Sequence, residues 1–333
     1  MQNQQAVKFG LTLPNRGVVI GATTMNEMID LAEQADRAEV WDSVWVGDSI
    51  LAKPRLDAIV LLGALAVRTE RVKLGPGCFA STPLRHPLLL AYQWAGLDFM
   101  SNGRTIFNAC QGRSGGSGGN FDLEFAAFNV EPASRMKRME EAIEIMRLTT
   151  SREDVSYEGE YTQFVGVTIE PRPVQQPVPI WVTANPNPAH PKETERALRR
   201  VARYGDGWMT TRNTPESFAT NLAAIRRYGE EGDGLRPGFE ACLYYNVNVN
   251  EDREAGLEES KRFLDTYYGV DFDRQTLETW VAAGSPAECV DQLRAFIDAG
   301  ATTITLRLAG YDQGRQFDRV TREVLPVVAM AHS

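Results

Sequence analysis

Short runs of β-branched and aromatic residues alternate along the chain with longer segments in which apolar residues recur every three or four positions, the pattern of parallel strands joined by helices. The strand-like runs are Lys8 to Leu13, Ser43 to Val46, Val72 to Gly75, Arg104 to Cys110, Ile180 to Thr183, Gly207 to Thr210, Cys242 to Val249 and Thr303 to Leu308. Eight such runs are what a closed cylinder needs, so the pattern predicts an α/β fold, a (β/α)8 TIM barrel with loop insertions. A doubly wound sheet also uses eight strands, but no GxGxxG fingerprint follows the first one.

The helical segments carry their own start signals. Thr24 with Glu27 forms a capping box ahead of the apolar face Met25, Met28, Ile29 and Ala32. A helix opening at Pro87 has Leu88, Ala91, Ala95 and Met100 on its inner side, and Ser134 is expected to cap one carrying Met136, Met139, Ile143 and Met146. Thr214-Pro215 and Ser285-Pro286-Ala287-Glu288 each place a cap before a proline at the first helical position. Three stretches fit neither template and are read as insertions in one domain spanning 1–333. They cover about 112–132 with the glycine run Gly115-Gly116-Ser117-Gly118-Gly119, 151–179 with short strands around Tyr157 to Phe164, and 270–283.

In a parallel barrel the chemistry sits where the carboxyl ends of the strands meet. The residues closing the runs include Asn15, Asp48, Ser49, Cys78, Phe79, Asn108, Gln111, Asn185, Thr210, Asn246 and Arg307. A net charge of -9 and a pI near 5.1 argue against a nucleic-acid partner, which would need a clustered basic surface. Cys78, Cys110, Cys242 and Cys289 form no CxxC pair, which suits free thiols and implies no zinc site. No apolar run approaches the roughly 20 residues of a membrane span, and the start MQNQQAV lacks the order of a secretion signal, so a cytoplasmic location is expected. Two GxSxG matches, at Gly112 to Gly116 and Gly115 to Gly119, are read as glycine-rich chance. No helix is expected right after either serine, and the downstream histidines are His190, in a proline-flanked loop, and the terminal His332.

Several blocks then occur in order: Val40-Trp41-Asp42-Ser43-Val44-Trp45-Val46-Gly47-Asp48-Ser49; Arg71-Val72-Lys73-Leu74-Gly75; Arg85-His86-Pro87; Leu97-Asp98-Phe99-Met100-Ser101-Asn102-Gly103-Arg104; Ala202-Arg203-Tyr204-Gly205-Asp206-Gly207-Trp208; and Gly284-Ser285-Pro286-Ala287-Glu288. Together they resemble the bacterial-luciferase-like superfamily of flavin enzymes, on the branch of two-component FMN monooxygenases. The resemblance implies FMN, reduced by a separate NAD(P)H:flavin reductase, or the related 8-hydroxy-5-deazaflavin coenzyme, with its ring in the barrel mouth. It further implies O2 and a small organic substrate, and a homodimer or homotetramer. Expected cofactor contacts are Asp48, Gly77, Cys78, Phe79, Asn108, Gln111, Arg113, Thr183, Ala184 and Asn185, with Trp208, Tyr244 and Arg307 toward substrate. The Gly77-Cys78 link falls near the family's third-strand bulge.

Asn108 is the expected catalytic residue. An asparagine there is common among the FMN monooxygenases, and its amide is suited to donate to a peroxide, whereas deazaflavin-dependent members more often have glycine. The competing reading is an asparagine that ties neighbouring strands together. Gln111 replaces an arginine that helps hold phosphate in luciferase, Asp48 stands where luciferase has a catalytic histidine, and His86 is read as orienting its loop. Cys110 falls where some luciferases have a reactive cysteine, but a buried packing role is the favoured reading. Three functions follow: a monooxygenase whose 112–129 loop closes over the site, a deazaflavin-dependent hydride-transfer enzyme, or a non-catalytic flavin binder.

Overall fold

The computed structural model describes residues 6–116 and 118–330. Its strands are β1 (Lys8–Thr12), β2 (Ser43–Val46), β3 (Lys73–Pro76), β4 (Phe107–Ala109), β5 (Val155–Glu158), β6 (Gln163–Val167), β7 (Ile180–Thr183), β8 (Gly207–Thr211), β9 (Glu240–Val249), β10 (Val281–Gly284) and β11 (Thr303–Leu308). The main sheet runs β3-β2-β1-β11-β9-β8-β7-β4 with every neighbour parallel. Its two edges meet through the bridges Leu74 to Thr105 and Phe79 to Ala109, closing the cylinder. This is the (β/α)8 barrel, and all eight expected runs supply its staves.

Helices coat the outside because their apolar stripes have nowhere else to go. The helix Met25–Arg37 buries Met28, Leu31, Ala32 and Ala35 and starts on the Thr24–Glu27 capping box. Inside, Trp45 of β2 stacks on Trp181 of β7 with centroids 5.1 Å apart. Gly10 and Gly75, on the strands flanking β2, make this possible: a Cβ on either would come within 2.5 and 2.7 Å of the Trp45 ring. The tryptophan pair plugs the lower barrel and leaves its upper end open.

The β3–β4 seam has little ladder of its own, and side chains supply the rest. Arg104 donates to Ser101 O, Thr69 O and Oγ1, Val72 O and Ala66 O over 2.7–2.9 Å, binding β4's approach to the end of the helix Ala58–Arg68 and its link into β3. Asp98, fully buried, accepts from the Thr105 hydroxyl at 2.6 Å and from Gln175 N and Nε2 at 2.9 and 2.7 Å. The Leu97–Arg104 block is thus an architectural device.

Two expectations need correction. Ser134 is not a side-chain cap: its own backbone is helical, and its hydroxyl donates to Glu131 O, because the chain enters the helix Arg135–Ser151 through a 3-10 turn at Pro132–Ser134. The stretch 270–283 is not loop alone, since it holds the helix Arg274–Trp280 and most of β10, a short strand paired with β9. The antiparallel hairpin β5–β6 lies where short strands were expected, and the helix Phe121–Ala127 lies within 112–132. Among the described residues no helix is long and apolar enough to cross a membrane.

Asp98→Ala strands three donors beside the seam and is expected to lower unfolding free energy by roughly 3 kcal/mol or more. Urea denaturation followed by circular dichroism checks this; a shift of the midpoint too small to resolve contradicts the stapling role.

Candidate active site

The open end of the barrel holds a cavity of about 270 Å³, near the lower end of the roughly 300–1,000 Å³ typical of ligand sites. Its wall is built from the carboxyl ends of the strands: Asp48 and Ser49 after β2, Gly77 and Cys78 after β3, Cys110 after β4, Thr183 and Asn185 on β7 and beyond, Met209 to Arg212 along β8, Tyr244 on β9 and Arg307 on β11.

Strand alternation decides which expected residues reach this wall. Asp48, Gly77, Cys78, Arg113, Thr183, Asn185, Tyr244 and Arg307 line it. Phe79, next to inward-facing Cys78, turns outward and packs on Trp94 and Phe107 at 5.9 and 5.8 Å. Trp208 likewise lies outside the cylinder, stacked on Phe218 at 5.0 Å, and its Nε1 donates to Ala184 O at 2.9 Å. Phe79, Ala184 and Trp208 therefore belong to the strand–helix layer, and Gln111 is also off the cavity wall. His86 is exposed at the N-cap of the helix Pro87–Met100 without a side-chain cap bond.

Asn108 lies below the cavity floor, fully buried. Its amide nitrogen donates to Pro76 O at 3.1 Å and to Met209 Sδ at 3.0 Å, and its Oδ1 accepts from the Thr183 hydroxyl at 3.0 Å. These bonds tie β4 to β3, β7 and β8, the geometry of the strand-tying alternative. The adjoining Gly77-Cys78 peptide is cis.

Asp48 accepts from Ser81 N at 2.7 Å through Oδ2, while Oδ1 has no hydrogen-bond partner and faces Arg85 Nη2 at 3.9 Å; burial outweighs that charge and raises its pKa above the usual carboxylate range. Cys110 is only partly covered and lies on the wall. The Cys78 thiol donates toward it, and the Gly112 and Gln111 N–H groups point at it, lowering its pKa despite burial. Cys78, also only partly covered, keeps that donated proton and is pushed well up, first by the hydrogen bond to Cys110 and then by desolvation.

The largest surprise is basic. Lys53, Arg55, Arg113, Arg212 and Arg307 all line the cavity, and among the described residues none has a carboxylate within 4.0 Å. Burial and the charges of Arg55, Arg16, Arg113 and Arg212 push Lys53 down to about 7. The nearby carboxylate of Glu124 is spent on Ile50 N and Leu51 N at 2.6 and 2.8 Å, anchoring the loop after β2. Arg212, in the left-handed region at φ 57°, lays its guanidinium over Trp280 at 4.7 Å and also lines a second space of about 840 Å³ beside the helix starts at Pro191 and Pro215. Lys53, Arg55, Arg212, Tyr268 and Trp280 were missed in the sequence because they follow the strand ends at a distance or belong to a segment read as insertion. The basic spacing in Lys53-Pro54-Arg55, just past β2, was the available signal.

The loop with Ser114 precedes no immediate helix, the next one starting at Phe121; Ser117 and His332 lie outside the described residues. Among the described residues no three His, Cys, Asp or Glu side chains cluster as metal ligands.

The family model for luciferase-like monooxygenases matches residues 7–303, and the chain belongs to that family. It is an enzyme, an oxidoreductase. Among curated proteins it is similar to the F420-dependent glucose-6-phosphate dehydrogenase of Amycolatopsis mediterranei, 26% identical with 89% of this chain and 93% of that one covered. Among solved structures it is similar to a monooxygenase from Streptomyces bottropensis, 25% identical with a TM-score of 0.77, covering 98% of this chain and 100% of that one. An F420-dependent secondary alcohol dehydrogenase shares the fold, with a TM-score of 0.78 at 17% identity over 97% of this chain and 99% of that one.

Two outcomes follow from the site's electrostatics. Iodoacetamide at mild pH is expected to label Cys110 before Cys78, Cys242 or Cys289, read by peptide mass mapping; preferential labelling of Cys242 or Cys289 overturns the assignment. The folded pKa of Lys53, about 7, lies below its ordinary 10.5, so the folded chain binds fewer protons between those values. Stability therefore rises with pH across that window, and the penalty is fully present below it. The difference in Tm between wild type and Lys53→Met is expected to move in favour of wild type from pH 7 to 10; a constant difference contradicts it.

Proposed function

We propose that this enzyme is a deazaflavin-dependent oxidoreductase, using coenzyme F420 for hydride transfer with a small anionic molecule. The observation that carries the reading is the commitment of Asn108: with its amide spent on Pro76, Met209 and Thr183, the donor expected to steady a peroxide is not on the cavity wall. The F420-dependent curated relatives support the same direction. The FMN monooxygenase reading keeps the support of the Streptomyces bottropensis neighbour.

The residues present suit such a coenzyme. Asp48 Oδ1, Thr211 Oγ1, Trp280 Nε1 and Arg307 Nη1 are buried without hydrogen-bond partners on side chains that form the cavity, so the wall holds hydrogen-bonding capacity that the protein does not use. Gly77 and Cys78 would lie against the ring system, and Lys53, Arg55 and Arg113 would hold its anionic groups. When bound, the reduced coenzyme supplies a hydride. Asp48, whose burial favours its protonated form, is positioned on the wall to give or take the accompanying proton, while the apolar faces of Tyr268 and Trp280 exclude water.

The deciding experiment titrates the purified chain anaerobically with reduced F420 and reduced FMN in parallel. F420 is expected to bind at least tenfold tighter, about 1.4 kcal/mol, and FMN binding tighter with oxygen-dependent product formation would sink the reading. Asn108→Ala is expected to lower stability by about 1–3 kcal/mol through its lost bonds and to leave coenzyme affinity little changed. A selective loss of turnover at unchanged stability restores a catalytic Asn108.

A further inference from the structure

Arg307, expected from the sequence to face substrate, is the most deeply covered cation of the cavity. It stands late in β11, 1% exposed, on the wall of the main cavity. Its Nε donates to the Tyr244 hydroxyl at 2.5 Å, and its guanidinium carbon lies 4.1 Å from the centre of the Tyr267 ring. Nη1 is buried with no partner. A guanidinium so covered is ordinarily matched by a carboxylate, because an unpaired buried charge is among the costliest features a fold can hold. The rings around it and the Tyr267 hydroxyl, whose pKa the charges of Arg307 and Arg55 bring below the usual tyrosine range despite burial, offset part of that cost.

The surroundings define what would complete it. The Tyr244 and Tyr268 hydroxyls share a hydrogen bond of 2.9 Å, Tyr244 meets Trp280 edge-on at 6.1 Å, and Tyr268 lies 5.4 Å from Trp280. Trp280 Nε1 is a second buried donor without a partner. This end of the cavity thus combines flat apolar faces, two unused N–H donors, the free hydroxyl of Thr211 beside Tyr244 and a fixed positive charge, whereas the Asp48 carboxylate belongs to the β2 side, where it faces Arg85.

We propose that Arg307 is the substrate-binding clamp of this enzyme, and that the pocket bounded by Arg307, Tyr244, Tyr268 and Trp280 takes a planar aromatic or conjugated carboxylate. The carboxylate meets the free side of the guanidinium, which offers planar N–H donors to a planar oxyanion. The conjugated body lies among the aromatic rings, whose edges and faces favour a flat partner over a branched aliphatic one. The proposal rests on the hydride-transfer reading only in naming what lies beside the coenzyme. An oxyanion on Arg307 has two sources, a substrate carboxylate or an anionic group of the coenzyme, and the experiment separates them.

The test uses the full chain without coenzyme, titrated with benzoate, benzamide and inorganic phosphate and read by tryptophan fluorescence and calorimetry. Benzoate is expected to bind at least about tenfold tighter than benzamide, since only the first carries the charge that Arg307 lacks, and phosphate is expected not to displace it. Arg307→Met is expected to abolish that preference. Arg307→Lys, which keeps the charge but not the planar donor set, is expected to reduce the benzoate-to-benzamide ratio while leaving benzamide affinity unchanged. That ratio is insensitive to general damage, so the lysine variant decides if the methionine variant does not fold. Equal binding of benzoate and benzamide, or displacement of benzoate by phosphate at similar concentration, overturns the proposal. Because no coenzyme is present, preference for FMN over F420 would leave this result standing, and a failure here would leave the coenzyme titration intact.

Discussion

A parallel cylinder works only if its first and last edges join, and in this protein that closure falls where the strands are shortest. β3 and β4 touch through two isolated bridges, so the seam is held by side chains: the Arg104 guanidinium on Ser101 O and on the Ala66, Thr69 and Val72 carbonyls that lead into β3, and the Asp98 carboxylate on Thr105 and Gln175. Everything at the barrel mouth inherits its position from this join. Cys78 and Cys110 sit directly beyond it, and Asn108 extends the same stitching inward to Pro76, Thr183 and Met209. The residues nearest to the proposed reacting centre are thus fixed by bonds that have nothing to do with substrate, as precise positioning requires.

The second organising fact is a mismatch of sign. The chain carries a net charge of -9, yet its cavity gathers five basic side chains, none of them within 4.0 Å of a carboxylate among the described residues, against the two acidic side chains Asp48 and Glu124. At physiological ionic strength the body's negative charge is screened beyond about 8 Å, so an approaching anion senses mainly the field inside the mouth, where low-dielectric walls preserve it. At low salt the same anion meets repulsion first. Local geometry accommodates the crowding: a Cβ on Gly47 would come 2.1 Å from Arg55 Nη1, so that glycine leaves the guanidinium its place.

Much of the architecture was legible in the amino-acid order because it depends on local patterning. The eight staves follow from short β-rich runs between helical periods, and the caps at Thr24, Thr214 and Ser285 are read from residue type and spacing. The site was less legible for two reasons. Alternation along a strand decides whether a residue faces in or out, and naming consecutive positions together could not separate Phe79, Ala184 and Trp208, which face the helices, from their neighbours on the wall. The basic cluster depends on which loops bend over the mouth, which no local pattern encodes: Lys53 and Arg113 come from separate loops, and Trp280 arrives through a helix and strand within a segment read as insertion. For Cys110 the reverse held, since buried packing was favoured and the residue instead borders the cavity.

Arg212 belongs to two walls at once, that of the barrel mouth and that of the larger hollow between the starts of the helices at Pro191 and Pro215. Its guanidinium lies over Trp280 and Phe272, with no carboxylate among the described residues within 4.0 Å. The border between the two spaces is thus set by a guanidinium resting on ring faces, so whatever fills one hollow bears on the wall of the other.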